Sequence, residues 1–235
     1  MRAHYLAEDR YDIRFACHQL ARDMRQPTAA SMLKLKHLGR YLRGRPRMVL
    51  RYRWQRPQAG LTVYTDSDWG GCVVTRRSTS AGVVRHGAHT VKCWTSTQAT
   101  VSLSSAEAEY HSAVRGCAAG LGMRSFAQDL GGAALKVRIM VDSSAAIQMA
   151  RRSGLGRVRH MAVALLWLQD AVRRGDVEIA KCKGTENPSD IGTKYVPVAV
   201  LDAMLEMLGF EVRGGNARLA LRAQRGGAQE EEQTA

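Results

Sequence analysis

The pattern of apolar residues changes at Leu61, and this change most constrains what the chain can fold into. From Leu61 onward, three segments rich in Val, Thr and aromatic residues follow one another: "LTVYTD", "SAGVVRHGAHTV" and "KCWTSTQATVSL". Residues of these types favour β-strands, and the glycines among them favour turns. The three segments therefore predict an antiparallel meander.

Helices and strands alternate after the meander. The segment "SSAEAEYHSAVRGCAAGLGMRSFAQDLGG" predicts a helix, with Ser104 and Glu107 in capping-box register and Gly131 as its end. There follow a strand (135–142), a helix "SAAIQMARR", a longer helix (160–175), a strand (177–182) and a final loop and helix, "GTENPSDIGTKY". The order βββαβαβα predicts an α/β domain with a mixed five-stranded sheet flanked by helices.

The sequence predicts a basic helical hairpin within the first 58 residues. One helix is expected over 12–27 after Asp12 as N-cap, and a second over 28–44. The apolar positions at helical spacing are Ile13, Cys17, Leu20 and Met24 in the first helix and Met32, Leu35, Leu38 and Leu42 in the second. Residues 1–58 hold 14 Lys and Arg against 4 Asp and Glu, about +10 of the net charge of +14. This charge suits a nucleic-acid backbone, and a solvated helical surface is the alternative.

Composition excludes several other classes of protein. No run of eighteen apolar residues occurs and the first twenty residues are charged throughout, so we expect neither a membrane span nor a secretory signal, and an intracellular protein. The five cysteines form no CxxC pair, which argues against a disulfide framework or a zinc finger. We expect three regions: the basic helical segment (1–58), the α/β domain (59–197), and a C-terminal helix with a disordered tail (198–235).

Acidic residues stand at the ends of the predicted elements. Asp66 closes the first strand, Asp142 closes the fourth, Asp190 precedes the last helix, and Glu107 and Glu109 lie in the first turns of the long helix. Strand ends and helix starts meet at one edge of an α/β sheet, so these carboxylates can approach each other. Carboxylate clusters bind Mg²⁺ or Mn²⁺, and two such ions support phosphodiester hydrolysis. Taken singly, each acid could instead be a turn residue, an N-cap or a first-turn acid.

Five motifs in unbroken order give the chain a family resemblance. "YTDSDWGGCVVTRRSTSAG", "KCWTSTQATVSLSSAEAEY", "VDSSAAIQMA", "RVRHMAVALLWLQDAV" and "NPSDIGTKYV" together resemble the ribonuclease H domain of the Pol polyprotein of copia-type LTR retrotransposons. The first fifty residues resemble the helical segment that joins reverse transcriptase to this domain. The resemblance covers roughly residues 4–197 and implies a ribonuclease H-like fold.

The resemblance implies a two-metal endonuclease that hydrolyses the RNA strand of RNA/DNA hybrids. Its acidic order of Asp, Glu, Asp, Asp falls on Asp66, Glu109, Asp142 and Asp190, as both catalytic residues and ligands of two Mg²⁺ ions, with Mn²⁺ as a substitute. Glu107 and Glu109 lie about 200° apart on a helix, so only one can face the metals. Glu109 is the residue that matches the family's glutamate, and Glu107 is expected to cap the helix. Ser104, Ser105, Ser143, His160 and Lys183 are the expected nucleic-acid-binding residues, although the serines are equally good caps.

One departure from the family pattern concerns the loop before Asp190. Related cellular enzymes carry a histidine there, whereas "KCKGTENPSD" has Lys181 and Lys183 instead. The implied partners are an RNA/DNA hybrid and the reverse transcriptase portion of a Pol polyprotein, in the cytoplasm, a virus-like particle or the nucleus. A catalytically inactive nucleic-acid-binding remnant is the alternative. An integrase core would place its glutamate last, so the order of acids favours ribonuclease H.

Overall fold

A computed structural model describes residues 2–154, 156 and 163–214. Its helices are α1 (Arg2–Leu6), α2 (Tyr11–Asp23), α3 (Ala29–Gly44), α4 (Ser105–Asp129), α5 (Ser144–Arg151), α6 (Trp167–Arg173) and α7 (Val198–Met207). Its strands are β1 (Arg47–Leu50), β2 (Gly60–Ser67), β3 (Thr79–His86), β4 (His89–Thr97), β5 (Lys136–Val141), β6 (Glu178–Lys181) and β7 (Phe210–Arg213). Short 3₁₀ helices span Val163–Leu166, Gly184–Glu186 and Pro188–Gly192.

The central sheet has five strands in the order β4-β3-β2-β5-β6. Strands β2, β3 and β4 form the predicted antiparallel meander, and β5 and β6 run parallel to β2. Tyr64, for example, pairs with Val83 on β3 and with Met140 on β5. The mixed five-stranded sheet with flanking helices that the sequence predicts is thereby confirmed.

The β3–β4 turn and the segment that carries Asp190 differ from the sequence prediction. The turn between β3 and β4 falls at Gly87, which has a φ of +61°, and not after Val91 as expected. A positive φ is accessible to glycine at little cost, so this residue fixes the hairpin. The expected final loop and helix over "GTENPSDIGTKY" are wrong in detail, because the segment forms two short 3₁₀ helices. Asn187 caps the second of them by accepting a hydrogen bond from the Ser189 N–H at 3.2 Å.

Apolar residues cover both faces of the sheet. Leu61, Val63 and Val84 lie on the face against α4, in the largest hydrophobic cluster. Tyr11 and Val83 belong to a second cluster, which includes residues of α7 and β7. Because both faces are buried, the sheet is fixed between two layers and its strand ends are held at one edge.

The predicted N-terminal hairpin exists as α2 and α3. Ile13, Cys17 and Leu38 pack together with Ala7 in a small cluster of their own. Met24, Met32 and Leu35 are exposed, so the expected apolar stripes are buried only in part. Helix α2 begins at Tyr11, which makes Asp12 a first-turn residue and not the predicted N-cap. The buried Asp12 carboxylate instead pairs with Arg10 at 2.7 Å and accepts a hydrogen bond from the Tyr41 hydroxyl at 2.8 Å.

Strands β1 and β7 form a separate two-stranded antiparallel sheet that the sequence pattern does not predict. Helix α7 confirms the further helix expected in the last forty residues. The expected helix over 160–175 is described from 163 onward, as a 3₁₀ turn followed by α6. The start of that expected helix and the expected tail over 215–235 lie outside the described residues. No described helix is both long enough and apolar enough to cross a membrane.

Candidate metal centre

Three of the predicted acids meet at the edge of the sheet where the parallel strands end. Asp66 lies near the end of β2, Asp142 directly follows β5, and Glu109 lies in the second turn of α4. One carboxylate oxygen from each lies within 4.8 Å of the others. Asp66 and Glu109 are buried and Asp142 is half-buried. This arrangement suits one or more divalent cations, since Mg²⁺ and Mn²⁺ prefer oxygen ligands.

Close packing of α4 on β2 brings Glu109 to Asp66. A Cβ atom built on Gly116 would lie 2.3 Å from Thr65 Cγ2, so the helix approaches the strand too closely for a larger residue. The Ser112 hydroxyl donates a hydrogen bond of 2.7 Å to the Asp66 carbonyl. The Ser67 N–H and hydroxyl donate to Glu109 Oε1 at 3.3 and 3.1 Å. These contacts fix the Glu109 carboxylate relative to the end of β2.

Glu107 and Glu109 have different environments, as the helical geometry predicts. The Glu107 N–H donates to the Ser104 hydroxyl at 3.2 Å, and Glu107 Oε2 accepts from the Leu103 N–H at 2.9 Å. Both contacts are those of a helix N-terminus. Glu107 is therefore engaged at the cap, while Glu109 faces the other acids.

Asp190 is not one of the three acids whose oxygens lie within 4.8 Å of one another. Its charge nevertheless acts on Asp66 and Asp142. Asp190 lies in the 3₁₀ turn Pro188–Gly192, and its Oδ2 forms an ion pair of 2.8 Å with Lys194 Nζ. Thr193 follows this turn, and its hydroxyl donates a hydrogen bond to Asp66 Oδ2. The turn therefore connects the fourth predicted acid to the first.

Burial and mutual repulsion raise the pKa values of the clustered acids. Burial, assisted by the charges of Asp190 and Asp142, raises the pKa of Asp66 from 3.8 to about 7. Burial and the charges of Asp66 and Asp142 raise the pKa of Glu109 from 4.5 to about 9. The pKa of Asp142 is also raised, by burial and by Asp190. Shifts in this direction mean that the cluster requires a proton or a cation to offset its charge.

Two buried carboxylate oxygens, Glu109 Oε2 and Asp190 Oδ1, have no hydrogen-bond partner among the described residues. An unpaired buried acceptor is costly, and carboxylate oxygens are the preferred donors to hard divalent cations. The donor set, its close approach and its unpaired oxygens therefore fit Mg²⁺ or Mn²⁺.

The three serines among the predicted nucleic-acid-binding residues lie at the N-terminal ends of α4 and α5. The hydroxyls of Ser104 and Ser143 cap α4 and α5, each accepting a backbone N–H at 3.2 Å. Ser105 is exposed in the first turn of α4. Lys183 is exposed, with its Nζ 3.3 Å from Glu186. His160 lies outside the described residues.

Sequence reasoning did not assign roles to Ser67, Thr193 and Lys194, which hold the predicted acids. Ser67 directly follows Asp66, and Lys194 lies four residues after Asp190, a spacing that brings two side chains together on a helical turn. Thr193 gave no comparable signal, because its contact with Asp66 joins residues far apart in the sequence.

The chain is similar in sequence to curated proteins, including the following two. It is 28% identical over 202 residues to the Retrovirus-related Pol polyprotein from transposon TNT 1-94 of Nicotiana tabacum, covering 86% of this chain and 15% of the polyprotein. It is 36% identical over 106 residues to an uncharacterized mitochondrial protein of Arabidopsis thaliana, covering 45% of this chain and 44% of that protein. The chain thus spans less than half the length of either relative. The similarity to a retrotransposon Pol polyprotein confirms the resemblance that the motifs predict. No protein-family model matches.

Solved ribonuclease H structures are among the structural matches. LC11-RNase H1, solved in complex with an RNA/DNA hybrid, is 13% identical, with a TM-score of 0.39, and the match covers 57% of this chain and 93% of that chain. The N-terminal RNase H domain of a Mycobacterium tuberculosis protein is 17% identical, with a TM-score of 0.37, and the match covers 63% of this chain and 98% of that one.

Proposed function

We propose that the chain is a metal-dependent endonuclease of the ribonuclease H type, which hydrolyses the RNA strand of RNA/DNA hybrids. The observation that carries this proposal is the meeting of Asp66, Glu109 and Asp142, with oxygens within 4.8 Å of one another at the edge of the sheet. The similarity to a Pol polyprotein supports it, because hybrids arise when RNA is copied into DNA.

Asp66, Glu109, Asp142 and Asp190 are the residues that would hold two Mg²⁺ ions, with Mn²⁺ as a substitute. When bound, such ions activate a water molecule and stabilise the negative charge that develops on the scissile phosphate. The protein contributes the geometry: Ser67 orients Glu109, Thr193 orients Asp66, and Lys194 balances the charge of Asp190. The products would be a 5′-phosphate and a 3′-hydroxyl.

The substrate would be selected by shape and by the RNA 2′-hydroxyls, with little dependence on base sequence. Ser105, exposed at the start of α4, and the capping residues Ser104 and Ser143 would line the path of the hybrid beside the acids. Lys183 would contact a phosphate from the loop that precedes Asp190. His160 remains a predicted strand contact, and the reverse transcriptase portion of a longer polyprotein remains a predicted partner.

A matched pair of substitutions on α4 tests the proposal. Purified protein is incubated with a hybrid labelled on its RNA strand, with Mg²⁺ or with a chelator. Wild type and Glu107→Gln should cleave the RNA only with Mg²⁺. Glu109→Gln should lose at least about a hundredfold in rate, because the loss of a metal ligand costs at least as much as the loss of a residue that supports one. Glu107 is a fair control because it is buried two residues away on the same helix.

The same assay separates this function from an inactive nucleic-acid-binding remnant. Tight binding of the hybrid by folded wild type without any cleavage in Mg²⁺ or Mn²⁺ would support the remnant and refute the nuclease. Equal cleavage by wild type and Glu109→Gln would reject the site assignment.

A further inference from the structure

Helix α2 places two aromatic side chains against the segment that follows Asp190. Tyr11 and Phe15 are four residues apart and therefore project from the same face of the helix. Both are buried, and Tyr11 belongs to the cluster on the second face of the sheet together with Val83 and Ile191. Ile13, between them in sequence, lies on the opposite face and packs against Leu38 of α3.

Tyr11 contacts the turn that carries Asp190. A Cβ atom built on Gly192, the last residue of that turn, would lie 2.6 Å from the Tyr11 hydroxyl oxygen and 2.6 Å from Ala81 Cβ. The Gly192 carbonyl also accepts a hydrogen bond of 2.9 Å from the Thr95 hydroxyl. The turn is therefore held between α2 and the sheet at Gly192, two residues after the acid.

Phe15 contacts the same segment three residues further along. Its ring packs edge-to-face against Tyr195, with ring centroids 4.9 Å apart and an interplanar angle of 71°. The residues between the two contacts are Thr193 and Lys194, which bind Asp66 and Asp190 respectively. Helix α2 therefore holds the chain on both sides of the two side chains that orient these acids.

We infer that Tyr11 and Phe15 are positioning residues for the metal centre. The basic N-terminal segment then contributes to the structure of the active site. This inference rests on the proposed metal-dependent function. The aromatic rings fix the backbone of 192–195, and that backbone sets where the Thr193 hydroxyl and the Lys194 ammonium group meet the carboxylates. Without this support, the acids would be present but poorly oriented for a cation.

Tyr11 acts through packing and not through a hydrogen bond. Its hydroxyl oxygen lies against Gly192, but it is buried and has no hydrogen-bond partner among the described residues. Tyr11→Phe removes only that oxygen and keeps the ring, so it should behave much as wild type. Tyr11→Ala removes the ring and leaves a cavity beneath Gly192, which a packed interior fills only in part.

The test compares cation binding with folding in the full-length chain. Mn²⁺ is titrated calorimetrically into wild type, Tyr11→Ala, Tyr11→Phe and the control Ile13→Ala at a temperature where each is shown to be folded. Tyr11→Ala should weaken Mn²⁺ binding by about tenfold or more, a realistic effect for residues that support metal ligands. Tyr11→Phe and Ile13→Ala should match wild type, the latter because it damages the same helix on the face away from the turn.

Tyr195→Ala keeps the inference testable if Tyr11→Ala does not fold. Tyr195 is 66% exposed, so its loss leaves the core intact while removing the contact with Phe15. We expect about threefold to tenfold weaker Mn²⁺ binding, the range in which aromatic pairs contribute. Amide hydrogen exchange over 188–195 should become faster in Tyr11→Ala and Tyr195→Ala but not in Ile13→Ala.

Two results would overturn the inference while leaving the nuclease proposal intact. One is unchanged Mn²⁺ affinity and exchange in folded Tyr11→Ala or Tyr195→Ala when wild type still cleaves the hybrid. The other is an equal loss in Ile13→Ala, which would reduce the effect to general destabilisation of α2. Absence of cleavage by wild type in Mg²⁺ and Mn²⁺ would instead count against the proposed function itself.

Discussion

Replacing Asp66 with asparagine should make the cation-free protein more stable at neutral and alkaline pH, although it removes a predicted catalytic group. The Asp66 carboxylate is buried beside Asp142 and Asp190, and its pKa is raised from 3.8 to about 7. An asparagine has nearly the same shape, can still accept the Thr193 hydroxyl, and carries no charge to repel its neighbours. Stability and activity should therefore change in opposite directions.

The size of the effect follows from the raised pKa. The difference between 3.8 and about 7 corresponds to about 4 kcal/mol at most, since a tenfold change in acidity is worth about 1.4 kcal/mol. The folded state binds this proton more tightly than the unfolded state. The free energy of unfolding of the wild type should therefore fall, on account of this group, as the pH rises from about 4 to about 7. Below that window the two proteins should be equally stable, and above it Asp66→Asn should be more stable.

Urea unfolding in the presence of a chelator measures this difference. We expect Asp66→Asn to exceed wild type by about 2 to 4 kcal/mol near pH 8 and by almost nothing near pH 4. Exposed Asp129→Asn, at the end of α4, is the control and should show no such gain. Added Mg²⁺ should stabilise the wild type and leave Asp66→Asn unchanged. An Asp66→Asn protein that is less stable than wild type at alkaline pH would refute the picture of a repelling carboxylate cluster.

Three further predictions address cation binding and packing. Burial raises the pKa of Asp66 to about 7 and that of Glu109 to about 9, so Mn²⁺ binding should tighten as the pH rises through this range. Binding should also release protons, which calorimetry in buffers of different ionisation enthalpy can measure. Calorimetry should also show that Lys194→Gln binds Mn²⁺ more weakly than wild type, because the ion pair with Lys194 holds the Asp190 carboxylate in place; tighter binding would contradict that role. In thermal unfolding, Gly116→Ala should lower the stability by about 1 to 3 kcal/mol, because the added methyl group overpacks against Thr65. The control Gly122→Ala should raise the stability by up to about 1 kcal/mol, because a Cβ atom there has no neighbour within 4 Å.

The sequence predicts the sheet and the meeting of three acids because both depend on local patterns. Strand-forming residues and turn glycines mark the meander, and Asp66 and Asp142 fall where parallel strands end. Helical geometry shows that Glu107 and Glu109 cannot both face the other acids, and the family resemblance selects Glu109. Apart from that choice, these inferences need only the periodicity of each element and the rule that strand ends share an edge.

Contacts between distant segments could not be predicted in the same way. Strands β1 and β7 are four residues each, too short for a periodic signal, and pair Arg47 with Arg213. The apolar spacing of α2 indicated one buried face through Ile13 and Cys17, but gave no sign that Tyr11 and Phe15 are buried on another. An apolar pattern that marks one face of a helix gives no signal for a second buried face.

The most direct test of the central claim is to locate bound cations. Crystals of wild-type protein soaked in MnCl₂, measured at the manganese absorption edge, should show anomalous density between the carboxylates of Asp66, Glu109 and Asp142. The same soak of Glu109→Gln should lose or weaken that density. Well-ordered carboxylates with no manganese between them in wild type, or manganese bound only elsewhere on the surface, would contradict the account.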